Sequence, residues 1–560
     1  MTLDTHISGA STLLLQLSAT TNRRNKLPLL QSLSERFLPS DPVESLKYAE
    51  EALDLAREIG KHQEIPYCHK QVALSHAALQ NYLEALVDLQ KAQALFKQQG
   101  NLEEQTEIYL EIARVQVERE RYQEGVDSYR EAHRLAEELG DVTGQVITLK
   151  GLGDLYCRLT DYQKGLDHYL QGLRLAEEVP GVEIRGILFS DIAVVYGELR
   201  EYERAQEYFE KSLDAFRASG LKHLEVRAVA NLANVHAERG EPEQALEWGL
   251  RAMTIYEALN DRNGLATTLV NLSNVYKDLS ELDTAIECCR KAFDLFESLD
   301  DSFGRCAALL NTGLLYQSIE QHHHATYVLE QALRIAEETG RPDLQYQCHD
   351  RLSFSLGQVG DTVRGLRHLR AYVSLRETLE QEEQHRAIGE LQARFDLDRT
   401  EKEKEIYRLR NEQLEMENKH KTAELASLSM QLVEKNRFIN DVKLTIEKIA
   451  SEAGGEVKPL IQNVLRNIKQ NISFQEDWQT FEKQFEKVHH EFIHKLSQTY
   501  PDLTSTELKV CALIRTGLSS GEIASLLHVT RRNVETHRYR LRKKLGIESG
   551  VDLGVFLTSL

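Results

Sequence analysis

The sequence predicts an all-α chain with three parts. These are a superhelical solenoid of about nine 40-residue helical hairpins, a coiled coil, and a small C-terminal helix-turn-helix domain. Three observations carry this reading. Small residues and helix breakers recur every 40 positions, a heptad-like stripe follows them, and the last 60 residues hold three helix-start motifs.

The repeat comes first. One small-residue series runs Ser45, Ala85, Gly125, Gly165, Ala205, Ala245, Ala285, Ala325, Gly365. A second lies seven residues later, from Ala52 to Ala332, and a third twelve residues earlier, from Ala73 to Ser353, with Leu33 as its weak first member. Breakers keep the same beat: Gly60, Gly100, Gly140, Pro180-Gly181, Gly220, Asn260, Asp300, Gly340. Small side chains let two helices cross closely, and glycine, Asn or Asp tolerates the left-handed turn that ends a helix. A lone hairpin cannot bury its apolar face, so the units stack. Gly153, Tyr156, Gly165, Tyr169 and Gly172 together resemble the tetratricopeptide signature, lengthened to 40 residues. The predicted solenoid spans residues 25–380, after an N-terminal segment 1–24.

The resemblance implies a concave groove lined by the first helix of each unit. On those helices Asn231, Asn271 and Asn311 repeat at 40, with Asn234 and Asn274 three residues after the first two. An i, i+3 pair shares a helix face, and an amide both donates and accepts. In tetratricopeptide proteins that hold extended peptides, Asn at matching places grips the peptide backbone. The resemblance thus implies a peptide or protein ligand here. The bland alternative is a set of solvated amides.

Beyond Glu380 the small-residue beat stops. Leu425, Leu428, Leu432, Ile439, Val442, Ile446 and Ile449 fit alternating three- and four-residue steps, interrupted by Lys435. Ile388, Leu391 and Phe395 begin an earlier run that loses phase through the charge cluster Asp396–Lys404. This predicts a coiled coil over 381–450, most simply in a homodimer. Gly454-Gly455 breaks it. Residues 456–500 then read as an amphipathic helical connector, with Trp478, Phe481, Phe485, Val488, Phe492 and Leu496 along its second stripe.

The C-terminal stretch 501–560 carries the chemistry. Thr504–Glu507 and Ser519–Glu522 are capping boxes, and Thr530 is an N-cap for a third helix. That helix, from Arg531 to Lys544, has seven basic residues against one acid. Val534, Leu541 and Leu545 mark its inner face. Arg532, Asn533, Glu535, Thr536 and Tyr539 offer donors and acceptors for base edges, Arg531, Arg538, Arg542 and Lys543 for phosphates, and Arg540 faces outward beside them as a further DNA-binding candidate. The residues Leu503-Thr504, Glu507, Gly517-Leu518-Ser519, Glu522-Ile523-Ala524, Leu527, Val534, Thr536-His537, Leu541 and Lys544-Leu545 resemble the LuxR-type helix-turn-helix of bacterial transcription regulators. That resemblance implies duplex DNA as partner, with the third helix in the major groove and a fourth, Val551–Leu560, supporting a dimer. The sequence departs from the family at Glu535, where Lys is common.

Charge agrees with this division. The chain carries −20, yet Leu503–Leu560 is +4, so one small end attracts nucleic acid while the rest repels it. The seven cysteines are scattered and the N-terminus has no cationic leader, which reads as cytoplasmic, with no membrane span. There is no phosphate loop, nucleophile elbow or H-E-x-x-H, and the histidines at 322–324, 489, 490 and 494 lack acidic or Cys partners at ligand spacing. The expectation is a non-enzyme without cofactor or metal. It is a transcription regulator governed through its groove, or alternatively a scaffold whose C-terminal helices only complete a bundle.

Overall fold

The computed structural model describes residues 2–452, 457–471, 474–489, 491–527, 529–547 and 551–559, all helix and connecting turn. Among the described residues there is no strand, and no helix is long and apolar enough to cross a membrane. The chain divides into two compact bodies, Met1–Arg399 and Thr400–Leu560.

In the first body the helix Thr2–Ala19 precedes nine hairpins, which begin with Arg23–Phe37 and Pro42–Glu58 and end with Pro342–Val359 and the start of Thr362–Glu452. The small-residue series sits where expected. Ala73, Ala85, Ala113, Ala193, Ala205, Ala245 and Ala325 are buried, and at the first crossing the Ser45 hydroxyl donates to the Ser34 carbonyl at 2.8 Å. A Cβ on Gly153 would overlap the Tyr169 ring, so the bare backbone is what lets that helix pair close. Tyr156 and Tyr196 fill the space beside the crossings.

The breakers behave as predicted at the outer turns: Gly100, Gly140, Gly220 and Asn260 all take the left-handed conformation. The structure adds a second left-handed series, at the inner turns, that composition concealed. Gln80, Glu120, Thr160, Arg200, Gly240, Ser280, Glu320 and Gly360 all have positive φ. The following N–H then reaches back to the helix, as Asp161 N–H does to the Tyr156 carbonyl at 2.8 Å. That bond satisfies an end carbonyl, which offsets the strain of a side chain in this region.

The second helix of the ninth hairpin and the long helix expected beyond Glu380 are one continuous element, unbroken from Thr362 to Glu452. Residues 390–398 lie against the third and fourth hairpins: Leu397 is 1 % exposed in a cluster with Leu110, Val117, Tyr156 and Leu159, and Arg394 pairs with Asp161 at 3.1 Å.

The second body is built on one apolar core. Trp478, Phe481, Phe485, Phe492 and Leu496 pack with Val510, Leu513, Ile514, Val534 and Leu541, and Leu425 and Val433 of the long helix join them. Leu425 is therefore spent inside its own chain and withdrawn from the pairing stripe, while Leu428 and Leu432 stay half-buried and Ile449 exposed. The expected breaker Gly454-Gly455, and with it His490, His528 and Leu560, lies outside the described residues.

Candidate nucleic-acid interface and repeat groove

The C-terminal helices Ser505–Arg515, Ser520–Leu527, Arg531–Lys544 and Leu553–Ser559 start and stop where the caps dictate. Thr504 N–H donates to Glu507 Oε2 at 2.8 Å while Glu507 N–H donates to Thr504 Oγ1 at 3.3 Å. Ser519 and Glu522 make the same reciprocal pair, at 2.7 and 3.4 Å. Asn533 N–H donates to Thr530 Oγ1 at 3.2 Å, and Gly517 turns left-handed at φ +84° after the first of these helices. Each box satisfies backbone donors that otherwise have no partner.

The third helix is anchored by Val534 and Leu541, both fully buried, with Leu545 behind them. This fixes which face is free. Arg531, Arg532, Asn533, Glu535, Thr536, Arg540 and Lys543 are exposed, and Tyr539 is 72 % exposed. Arg538 and Arg542 are half-buried and lie beside Asp552. The Asp552 carboxyl sits below the ordinary carboxylate range, because Val555 and Gly554 N–H groups donate to it and the two arginines add a smaller pull. The Thr536 hydroxyl donates to the Arg532 carbonyl at 2.8 Å, leaving its lone pairs for an incoming donor. Lys544 is not free: it donates to Glu507 and to the Asp502 carbonyl at 2.7 and 2.8 Å. Thus ten candidate residues share one helix, eight of them on its open face.

In the repeat array the asparagines come together across hairpins. Asn234, Asn271 and Asn274 line a cleft of about 470 Å³, and Asn231 with Asn234 lines an adjoining one of about 410 Å³. Asn271 Nδ2 donates to Asn234 Oδ1 at 3.2 Å, which orients both amides. Asn311 lines neither cleft. Glu238 borders both, with Glu198 on one side and Asp278 on the other, acids that the sequence reading did not single out. Their 40-residue spacing was the available signal. A third cleft, toward the N-terminus, is ionic: Lys150 lies 2.8 Å from Asp154 and 3.3 Å from Asp191. Burial pushes the Asp191 carboxyl up to about 6, against the opposing pull of Lys150.

Three of the histidines singled out in the sequence have ring partners: His324 stacks on Tyr316, His322 meets the Phe354 edge, and His489 packs on Phe485.

Two stretches of the chain match known protein families. The tetratricopeptide repeat family matches residues 104–178, 184–258 and 264–338, and the luxR family of bacterial regulatory proteins matches residues 501–557. The chain joins tetratricopeptide repeats to a C-terminal LuxR-type domain. Neither matched family is a catalytic fold. An uncharacterized response regulatory protein, YgeK of Escherichia coli (strain K12), is 39 % identical over 67 residues, 11 % of this chain. The chain spans just under half, 46 %, of that relative's length. Among solved structures, a signal-transduction ATPase with a tetratricopeptide repeat sensor from Pyrococcus horikoshii superimposes with TM-score 0.46 at 15 % identity. The overlap covers 64 % of this chain and 54 % of that one. The apo form of the quorum sensor NprR from B. thuringiensis gives 0.42 at 15 % identity, over 65 % and 92 %. Similarity at this level transfers no ligand.

Proposed function

We propose that the chain is a cytoplasmic, sequence-specific DNA-binding transcription regulator, whose repeat groove receives a peptide or protein partner that controls DNA binding. The observation that carries this is the third helix of the C-terminal domain. Buried Val534 and Leu541 orient it so that Arg531, Arg532, Asn533, Tyr539, Arg540 and Lys543 all point away from the core. Arg and Asn near the N-terminal end of such a helix match the donor and acceptor pattern of base edges in a major groove. The asparagine clefts support the second half. Their amides satisfy an extended backbone, which itself alternates donors and acceptors.

Pairing of two chains through the exposed stripe of the long helix would place two third helices on half-sites about 10 bp apart, or multiples of that. Selection from random duplex DNA with the full chain tests the reading. The expected result is an imperfect palindrome bound with steep salt dependence. A selection that enriches no sequence returns the chain to the scaffold class.

A further inference from the structure

We propose that residues Glu390–Asp398 form a releasable strap, which closes the repeat array on itself and whose opening is a conformational step of the array. The contact joins the ninth hairpin's own helix to the third and fourth hairpins. The fifth to eighth, with the asparagine clefts among them, therefore lie inside a closed loop of contacts. This inference does not depend on what the clefts bind.

The chemistry of the contact is that of a latch. Ala393, Arg394, Leu397 and Asp398 follow the i, i+1, i+4, i+5 spacing of one helix face. Leu397 alone in this segment is fully buried, with Ala393 half-buried beside it. Arg394 pairs with Asp161 at 3.1 Å, and Asp398 with Lys164 at 2.5 Å. Both array-side charges keep local partners when the strap leaves. Asp161 also accepts from Lys164 N–H at 3.4 Å as the N-cap of helix Tyr162–Ala176, and the Lys164 ammonium lies 4.9 Å over the Tyr156 ring. Release therefore leaves Asp161 its cap hydrogen bond and Lys164 its ring partner, as a switchable contact requires. One buried leucine and two ion pairs, of which Asp161 alone is buried, are also little beside the continuous core of the hairpins, so the strap opens below the cost of unfolding them.

The sequence carries a trace of the device. The apolar run Ile388, Leu391, Phe395 loses its phase at Asp396 because the helix there serves two faces. The apolar residues stay exposed while the mixed ionic face, centred on Leu397, turns to the array.

Hydrogen exchange of the full chain, read peptide by peptide, tests the strap. In Leu397→Asp, residues 388–400 should exchange at least tenfold faster, as should the turn at 157–164. Peptides covering Lys222–Glu238 and Pro342–Val359 should keep their wild-type rates. Lys164→Glu and Asp398→Lys should each give part of that effect, and the two together should restore wild-type protection. Wild-type exchange at 388–400 in Leu397→Asp would show that no strap closes in solution. Faster exchange throughout the array would make the contact structural. Either result overturns the proposal.

Discussion

The Lys544 ammonium donates to Glu507 Oε2 at 2.7 Å, tying the end of the basic helix Arg531–Lys544 to the start of the first helix of its domain. Glu507 also accepts from the Thr504 N–H and hydroxyl, and its side chain is 3 % exposed. One carboxylate thus holds a helix cap and orients a second helix.

A pH dependence follows. Burial works to raise the Glu507 pKa, but the Lys544 and Thr504 donors outweigh it and hold it below the ordinary 4.5. A depressed folded-state value means the carboxylate's contribution is complete above about pH 4.5 and is lost as pH falls through the lower, folded value. Glu507→Gln should cost the C-terminal domain about 1–2 kcal/mol at pH 7. The gap from wild type should narrow below pH 4.5, as measured by urea titration at several pH values.

For DNA binding, Arg531→Ala with Lys543→Ala, the two exposed candidates for phosphate contact, should weaken operator affinity at least about tenfold and lower the slope of log K against log salt by about 2. Arg538→Ala with Arg542→Ala should do less, since both are half-buried beside Asp552. Fluorescence anisotropy on the selected operator across a salt series separates the two pairs.

The repeat groove makes an internal contrast. Asn234→Ala with Asn271→Ala removes the bonded pair, of which Asn234 lines both clefts and Asn271 the first, and should abolish any change in operator affinity that cell extract produces. Asn311→Ala, outside both clefts, should leave most of that change. Equal effects would detach the clefts from the control of DNA binding.

Two glycines on the facing helices of the fourth hairpin should respond oppositely. Gly153→Ala drives a Cβ into the Tyr169 ring and disturbs its 2.6 Å hydroxyl bond to Asp154, at a cost of about 1–3 kcal/mol. Gly172→Ala meets its nearest neighbour at an ordinary 3.6 Å, and so should gain up to about 1 kcal/mol of helix propensity. Urea midpoints of the array read both.

Much of this molecule was written in its sequence. The 40-residue beat determined nine hairpins, because close helix crossings admit only small side chains and must recur wherever the same crossing recurs. The three N-caps determined the C-terminal helices, since capping depends on residues three apart. Spacing also told Val534 and Leu541 from the exposed arginines. What acts between distant segments required the tertiary structure. The inner left-handed turns fall mostly on residues with no preference for that conformation, and only the backbone bonds they complete hold them there. Leu425 looks like a member of a pairing stripe yet is buried in the aromatic core, and Leu397, which belongs to no apolar run, is buried against the third and fourth hairpins. Periodicity shows that a helix has an apolar face. Which surface covers that face is settled by where the chain, hundreds of residues apart in sequence, comes back upon itself.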